Sequence, residues 1–295
     1  MAAGGAAAAY ARLPFAGHSV AFSPYDGELV GVATAQHFGI VGQGSAVFFR
    51  YDPASGSLMP IGLPLQTKDG IYDLAWSEAC HGHVLTAGAD GMLRLYDVFA
   101  GGAGAGESEL MMDGRPGAET TPLAGWTGHE AEVASVAWSP LSKTCFASGS
   151  WDATLRVWDP NAAAPILSYT DFKYCVYTAA WAPHSPTLLA GCSGDATLRL
   201  FDTKTPGGAV LTLPAHDFEV LSCDFNKYAE HVMVTGSVDT SIALWDVRAP
   251  RAPTAVLEGH SLAVRRVLFS PFSEHLLASA GYDMAAMVWD LSSVA

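Results

Sequence analysis

Four aspartates, Asp159, Asp202, Asp246 and Asp290, stand 43, 44 and 44 residues apart, and this spacing constrains the chain more than any other feature. It is not confined to one residue type. His216 and His260, Asp239 and Asp283, and Trp245 and Trp289 are each 44 residues apart, while Tyr96-Asp97 and Tyr51-Asp52 close two earlier units. Self-similarity at such a period means a series of small supersecondary units, none of which can bury its apolar faces alone. Residues 128–159 show the unit best. Gly128-His129 opens it. An alternating run with Val133, Val136 and Trp138 stops at Ser139-Pro140; a second reaches Ser148, Trp151 and Asp152; a third, from Leu155 to Trp158, closes on Asp159. Three short strands between tight polar turns make an antiparallel sheet that needs like sheets on either side.

A period in the low forties, closing on Trp-Asp with Gly-His upstream, is the signature of an all-β fold, the WD-repeat β-propeller. Six repeats are visible, at about 17–52, 67–97, 128–159, 171–202, 215–246 and 259–290. Blades share a continuous core, so residues 17–295 are expected to form one propeller domain behind an Ala/Gly-rich, disordered tail, 1–16. The first repeat is about nine residues longer than the others between Phe22 and Asp52, and Ser45 replaces its turn aspartate. The second lacks Gly-His and carries Thr67 at the histidine position. Residues 98–125, glycine-rich and without a following Gly-Lys-Ser/Thr, read as a flexible insertion, not a phosphate-binding loop.

Three repeats carry a full set of polar landmarks: His129, Ser148, Asp152 and Trp158; His216, Thr235, Asp239 and Trp245; His260, Ser279, Asp283 and Trp289. One catalytic relay per blade makes no chemical sense, so these sets are structural tetrads: histidine to turn aspartate, with the hydroxyl and the indole completing a buried network. The repeat ending at Asp202 has Phe172, Gly191 and Phe201 where the others have His, Ser or Thr, and Trp. The members of a network that is satisfied only as a whole are expected to be lost together.

Composition narrows the function classes. A net charge of −14 argues against nucleic acid and anionic membrane surfaces, and allows a cationic ligand. The five cysteines, Cys80, Cys145, Cys175, Cys192 and Cys223, form no C-x-x-C pair and read as reduced thiols. His81 and His83 near Cys80 fit a loop better than a zinc site; no metal and no cofactor is expected. The N-terminus lacks a secretory pattern, no apolar run is long enough to span a membrane, and the terminal Ser-Val-Ala lacks the basic residue of a peroxisomal SKL-type address. No nucleophile and base pair up outside the tetrads, so an enzyme is not expected.

Function on such a scaffold belongs to its surface. Three positions per blade should point to the end where the leading loops and turn aspartates lie. They combine aromatic and acidic side chains: Tyr72, Trp151, Tyr177 and Tyr282 with Glu132 and Glu219, flanked by Asp69 and Asp73, with Arg265 in the last repeat. Such a surface suits an amphipathic peptide carrying basic residues.

The stretches VATAQHFGIVGQG (32–44), DGIYDLAWSE (69–78), SGSWDATLRVWDP (148–160), PAHDFEVLSCDFNKY (214–228), WDVR (245–248) and AVRRVLFSPF (263–272) resemble the peroxisomal receptors for type 2 targeting signals, the peroxin seven family. The resemblance runs from Gly17 to Asp290. It implies a cytosolic receptor that shuttles to the peroxisome. Its cargo, such as peroxisomal thiolase, would carry the N-terminal signal (Arg/Lys)-(Leu/Val/Ile)-x5-(His/Gln)-(Leu/Ala). It also implies a co-receptor peroxin over the bound helix and docking peroxins at the membrane, with no direct membrane insertion and no nucleic acid. Residues seven apart lie about two turns apart on one helix face, in keeping with a helical signal. A substrate adaptor of a cullin RING ubiquitin ligase is the alternative, because Trp245-Asp246-Val247-Arg248 fits the WD-x-Arg motif of such adaptors. The family implies seven repeats. With six, the expectation is an open or incomplete ring, residues 10–16 being the one segment able to supply the last sheet's fourth strand.

Overall fold

The computed structural model describes residues 10–99, 120–205 and 207–293. The described residues form six antiparallel sheets and one short 3-10 helix, the all-β blades of a WD-repeat β-propeller. They divide into two compact units, residues 1–127 and 128–295.

In the first unit, β1 (Ala16–Phe22), β2 (Leu29–Ala35), β3 (Gly44–Asp52) and β4 (Ser57–Pro60) pair in order, and β5 (Leu65–Thr67) joins the other end of β3. The second sheet is β6 (Ile71–Trp76), β7 (His83–Gly88), β8 (Leu93–Asp97) and β9 (Ala124–Trp126). Two sequence expectations need correction here. Ser45 is no turn residue: β3 runs to nine residues and buries Ser45 completely, its carbonyl accepting from the Thr34 hydroxyl at 2.7 Å. The additional residues of the first repeat lie instead in the 3-10 helix Gln36–Gly39 and the loop to Gly44. Ala124 and Gly125, read as the end of an insertion, belong to β9 and supply the outer strand of the second sheet. The rest of that insertion falls largely at 100–119, outside the described residues. Residues 10–15 form no strand, and Ala16 pairs with Ala35 within the first sheet.

The second unit repeats one plan. Its sheets are β10 (Val133–Trp138), β11 (Phe146–Ser150), β12 (Leu155–Trp158) and β13 (Leu167–Tyr169); then β14 (Val176–Trp181), β15 (Leu188–Ser193), β16 (Thr197–Asp202) and β17 (Leu211–Pro214); then β18 (Val220–Phe225), β19 (Val232–Ser237), β20 (Ile242–Asp246) and β21 (Ala255–Leu257). The last has three strands, β22 (Val264–Phe269), β23 (Leu276–Gly281) and β24 (Ala286–Asp290). Each inner strand is stopped where the sequence turns to Ser-Pro or another short polar segment, since proline offers no N–H to extend a ladder.

The core lies between sheets. Val176, Ala179 and Trp181 of β14 pack against Ala147, Leu155 and Val157 of the preceding sheet. Val220, Cys223 and Phe225 pack against Ala190, Cys192, Leu198 and Leu200. Val264, Val267 and Phe269 pack against Val234, Ile242 and Leu244. Burying each such large side chain stabilises the fold by roughly 1.5–3 kcal/mol. A buried carboxyl ties the last of these junctions. Asp224 accepts N–H bonds from Phe269 at 2.8 Å and Phe225 at 2.9 Å, and burial pushes its carboxyl up to about 6 despite those bonds and the nearby Arg266.

The turns are equally regular. The residue after each turn aspartate is left-handed, with φ of 64° at Ala153, 64° at Ala196, 74° at Thr240 and 60° at Met284. A β-branched residue is the worst tenant of that region. Thr240→Gly should therefore raise stability by about 0.5–1 kcal/mol in chemical denaturation, after allowing for the added freedom of the unfolded chain. Asp224 generates a pH expectation. A carboxyl raised in the folded state contributes stability below its unfolded value, and this is lost as pH rises through the folded value. The stability difference between Asp224→Asn and the parent should shift in the variant's favour as pH rises from about 4 to about 7, read as melting temperatures across that window. A pH-independent difference would mean that the Asp224 carboxyl is not raised in the folded state.

Candidate functional site

The three complete tetrads are hydrogen-bonded chains whose proton order follows from chemistry. An indole N–H can only donate, so the hydroxyl oxygen accepts from tryptophan and its own proton goes to histidine Nε2. Nδ1–H is then left for the aspartate. In the third sheet the distances are 2.8 Å for Trp158 Nε1 to Ser148 Oγ, 2.7 Å for Ser148 Oγ to His129 Nε2 and 2.8 Å for His129 Nδ1 to Asp152 Oδ2. The corresponding values are 2.9, 2.8 and 2.9 Å for Trp245, Thr235, His216 and Asp239, and 2.9, 2.7 and 2.9 Å for Trp289, Ser279, His260 and Asp283. Burial opposes the charge of Asp152, but the bonds from His129 and Thr154 outweigh it and hold its carboxyl well below the usual range. With its hydroxyl and imidazole both committed, such a set has no free nucleophile.

Where the tetrad is lost, the turn aspartate finds another partner. Asp195 accepts from the Arg199 guanidinium at 2.7 Å, and that guanidinium lies 4.7 Å from the centroid of Phe172, the residue standing in for histidine. A Cβ at Gly191 would come within 2.7 Å of the Phe172 ring, so the larger ring occupies the space of the missing hydroxyl. In the second sheet Arg94 holds Asp90 in the same way, at 3.1 Å from Nη1. The Asp-x3-Arg spacing is not peculiar to these repeats, since Asp152 and Arg156 share it, 3.7 Å apart beside an intact tetrad.

These turns form one end of each sheet, where the binding residues were expected. The residue before each turn aspartate donates its N–H to the residue before the inner strand: Trp151 to Glu132 at 2.9 Å, Gly194 to Cys175 at 2.9 Å, Val238 to Glu219 at 3.0 Å and Tyr282 to Ala263 at 2.9 Å. The remaining position on each blade is a register irregularity. Tyr177, Leu221 and Arg265 fall at the shifts between Val176 and Thr178, Val220 and Ser222, and Val264 and Arg266. A bulge of this kind re-aims one side chain out of the ladder. His18 holds the same place in β1 and was missed, because the first repeat was not read for this position.

Within the second unit two of the expected residues meet. The Tyr177 hydroxyl donates to Glu219 Oε2 at 3.4 Å. Burial and then the Glu219 charge push the Tyr177 phenol well above the usual tyrosine range, and Tyr282 adds to the effect. Burial and then the charges of Glu219 and Glu132 push the Cys175 thiol up. A Cβ at Gly194 would stand 3.5 Å from the Tyr177 ring and 3.6 Å from Glu219 Oε1, so this glycine opens the floor of the cluster. Trp151 and Tyr282 are exposed, and Arg265 is half-buried. Sequence reasoning missed an apolar arc beside them. Tyr174, Phe218 and Leu262, one residue ahead of Cys175, Glu219 and Ala263, are 64%, 60% and 53% exposed. Their spacing of 44 and 44 residues was the available signal.

The first unit corrects two expectations. Tyr72 and Asp73 are buried and present no surface. The Tyr72 hydroxyl donates to the Gly39 carbonyl at 2.8 Å beneath the 3-10 segment, and its ring meets His18 at 5.4 Å between centroids. Asp73 turns an oxygen back to the Leu74 N–H at 3.0 Å. The burial of Tyr72 follows from the long loop of the first repeat, whose cover over β6 no local pattern shows. Asp69 is exposed. His81 stacks on Phe99 at 5.3 Å. Among the described residues no group of three or more His, Cys, Asp or Glu side chains gathers to hold a metal, and no helix is long and apolar enough to cross a membrane.

Replacing Glu219 with glutamine should lower the Tyr177 phenol toward the ordinary range while leaving it raised, because burial is the larger cause. Ultraviolet absorbance titration of Glu219→Gln, with Tyr177→Phe to identify the signal, reads this directly. An unmoved transition would place Glu219 away from Tyr177.

Residues 120–159 match the family model "WD domain, G-beta repeat" and residues 162–289 match "EIPR1 beta-propeller". The chain is 38% identical over 147 residues to the peroxisomal targeting signal 2 receptor of Dictyostelium discoideum, over 50% of this chain and 40% of the relative. It is 38% identical over 154 residues to the human receptor of that name, over 52% and 41% of the two chains. It is also 38% identical over 155 residues to the Arabidopsis thaliana peroxisome biogenesis protein 7, over 52% and 44%. The match thus spans less than half the length of each of these curated relatives. Repeat landmarks, blade sheets and these matches agree: the chain is a WD-repeat β-propeller protein similar to the peroxisomal targeting signal 2 receptors.

Proposed function

We propose that this protein is an import receptor that binds the N-terminal helical type 2 signal of peroxisomal matrix proteins. The surface is the turn-bearing end of the second unit. One observation carries the reading: the Tyr177–Glu219 pair lies on the turn-bearing end of the blades, the end that also carries Glu132 and the exposed rings of Trp151, Tyr174, Phe218 and Tyr282. The two carboxylates take the basic residue at the start of the signal. The rings take the apolar stripe of an amphipathic helix.

The similarity to targeting signal 2 receptors supports the same reading and extends it. On this reading the chain takes thiolase-type cargo in the cytoplasm, a co-receptor peroxin covers the bound helix, and docking peroxins receive the complex at the peroxisome. It acts by binding, not catalysis. The ligase-adaptor alternative has no comparable support. Arg248, on which its motif depends, is folded back onto the Asp246 carboxylate at 2.7 Å.

Fluorescence anisotropy of a labelled type 2 signal peptide, with and without the co-receptor, tests the proposal. Binding should be saturable and weaken as salt rises. Because a charge-assisted hydrogen bond is worth roughly 1.5–3 kcal/mol, Glu219→Lys and Glu132→Lys should each lose at least about tenfold in affinity while melting like the parent. A folded chain that ignores the peptide with the co-receptor present would overturn it.

A further inference from the structure

The residue before the turn aspartate carries a bulky or branched side chain on three of the sheets of the second unit: Trp151, Val238 and Tyr282. On the sheet of β14 to β17 it is Gly194. Two ordinary reasons for a glycine fail there. Its φ lies outside the left-handed region, so the turn itself would accept a side chain. Nor does neighbouring backbone press on it. The nearest atoms that an added Cβ would meet belong to side chains: the Tyr174 Cβ at 3.3 Å, the Tyr177 ring at 3.5 Å and Glu219 Oε1 at 3.6 Å. At Gly149 and Gly236, where strands pack closely, the nearest atom would stand at 2.9 Å.

The effect of Gly194 is therefore to leave a space that a side chain fills on the other sheets. Tyr174 and the edge of the Tyr177 ring wall it, and Glu219 Oε1 faces it. The Tyr177 hydroxyl donates to the other oxygen, Oε2, at 3.4 Å, while Oε1 accepts no hydrogen bond among the described residues. Aromatic walls beside one uncommitted carboxylate oxygen suit a long aliphatic stem that ends in a cation. The stem lies along the rings, and the charged head donates to the oxygen. A neutral side chain of the same length can use only the walls.

We propose that the space over Gly194 is the subsite for the lysine or arginine side chain at the start of the helical signal, and that the bare position at 194 sets this specificity. The proposal rests on the peptide-binding reading above. It adds that one position of the rim must stay empty, and that a side chain there competes with the ligand's own.

Fluorescence anisotropy with two labelled peptides tests it, both with the co-receptor present. One is a type 2 signal with arginine at its leading basic position; the other has norleucine there. The parent should bind the arginine peptide at least about tenfold more tightly than the norleucine peptide. Gly194→Val places in the slot the residue that the next sheet carries as Val238. It should bring the arginine peptide down to the norleucine level and leave the norleucine peptide unchanged. Adding Glu219→Gln to Gly194→Val should cost little more than the larger single loss, because both act on one contact. Thermal melts check that each variant folds. Should Gly194→Val melt below the parent, Gly194→Ala carries the comparison, with a smaller loss confined to the arginine peptide. A folded variant that binds the arginine peptide as the parent does, or equal losses with both peptides, would overturn the subsite and leave the receptor reading standing. A parent that binds neither peptide would overturn the receptor reading, and the subsite with it.

Discussion

A four-stranded sheet that is apolar on both faces is insoluble as a single unit, and the dependence of each sheet on a neighbour of its own kind governs this protein. Small residues, Gly149 and Gly236 among them, let the next inner strand approach closely, and Trp181, Phe225 and Phe269 fill what remains. The repeat period is the length of chain needed to make one such sheet and return to the start of the next. Within the second unit every junction obeys the same rule, so its packing energy is a sum of similar terms.

The polar tetrads solve a different problem. A sheet packed on both faces leaves little room for polar atoms, yet a tight turn must be fixed in register with the leading loop. The chain from indole to hydroxyl to imidazole to carboxylate does this with every proton assigned, and a half-made version would strand buried donors. The repeat ending at Asp202 shows the alternative. There phenylalanine fills the interior, and Arg199 neutralises the turn aspartate from four residues down the chain. The requirement that persists is a partner for the turn carboxylate, not a particular side chain.

Regular sheets supply position, and their irregularities supply the surface. One bulge in each inner strand and one left-handed residue in each turn release side chains from the ladder and direct them to the same end. Tyr177 is raised by burial and by Glu219, which keeps it a hydrogen-bond donor far into the alkaline range, while the carboxylate beside it supplies the charge. This is the surface proposed to take a helix that is apolar on one side and basic at one end.

The sequence by itself determined the all-β class, the six sheets, the membership of the three tetrads and the end of each blade that presents loop and turn. All of these repeat at a fixed spacing or follow from strand alternation, so local chemistry is enough to reveal them. Only the tertiary structure decided that Tyr72 and Asp73 are buried, that Ser45 lies in a strand, that Ala124 and Gly125 complete a sheet and that Tyr174, Phe218 and Leu262 stand in water. Pairing and exposure are set by what lies across from a residue, not by its own segment, and for Tyr72 that is a loop of unusual length, which follows no period and covers a strand far from it in the chain.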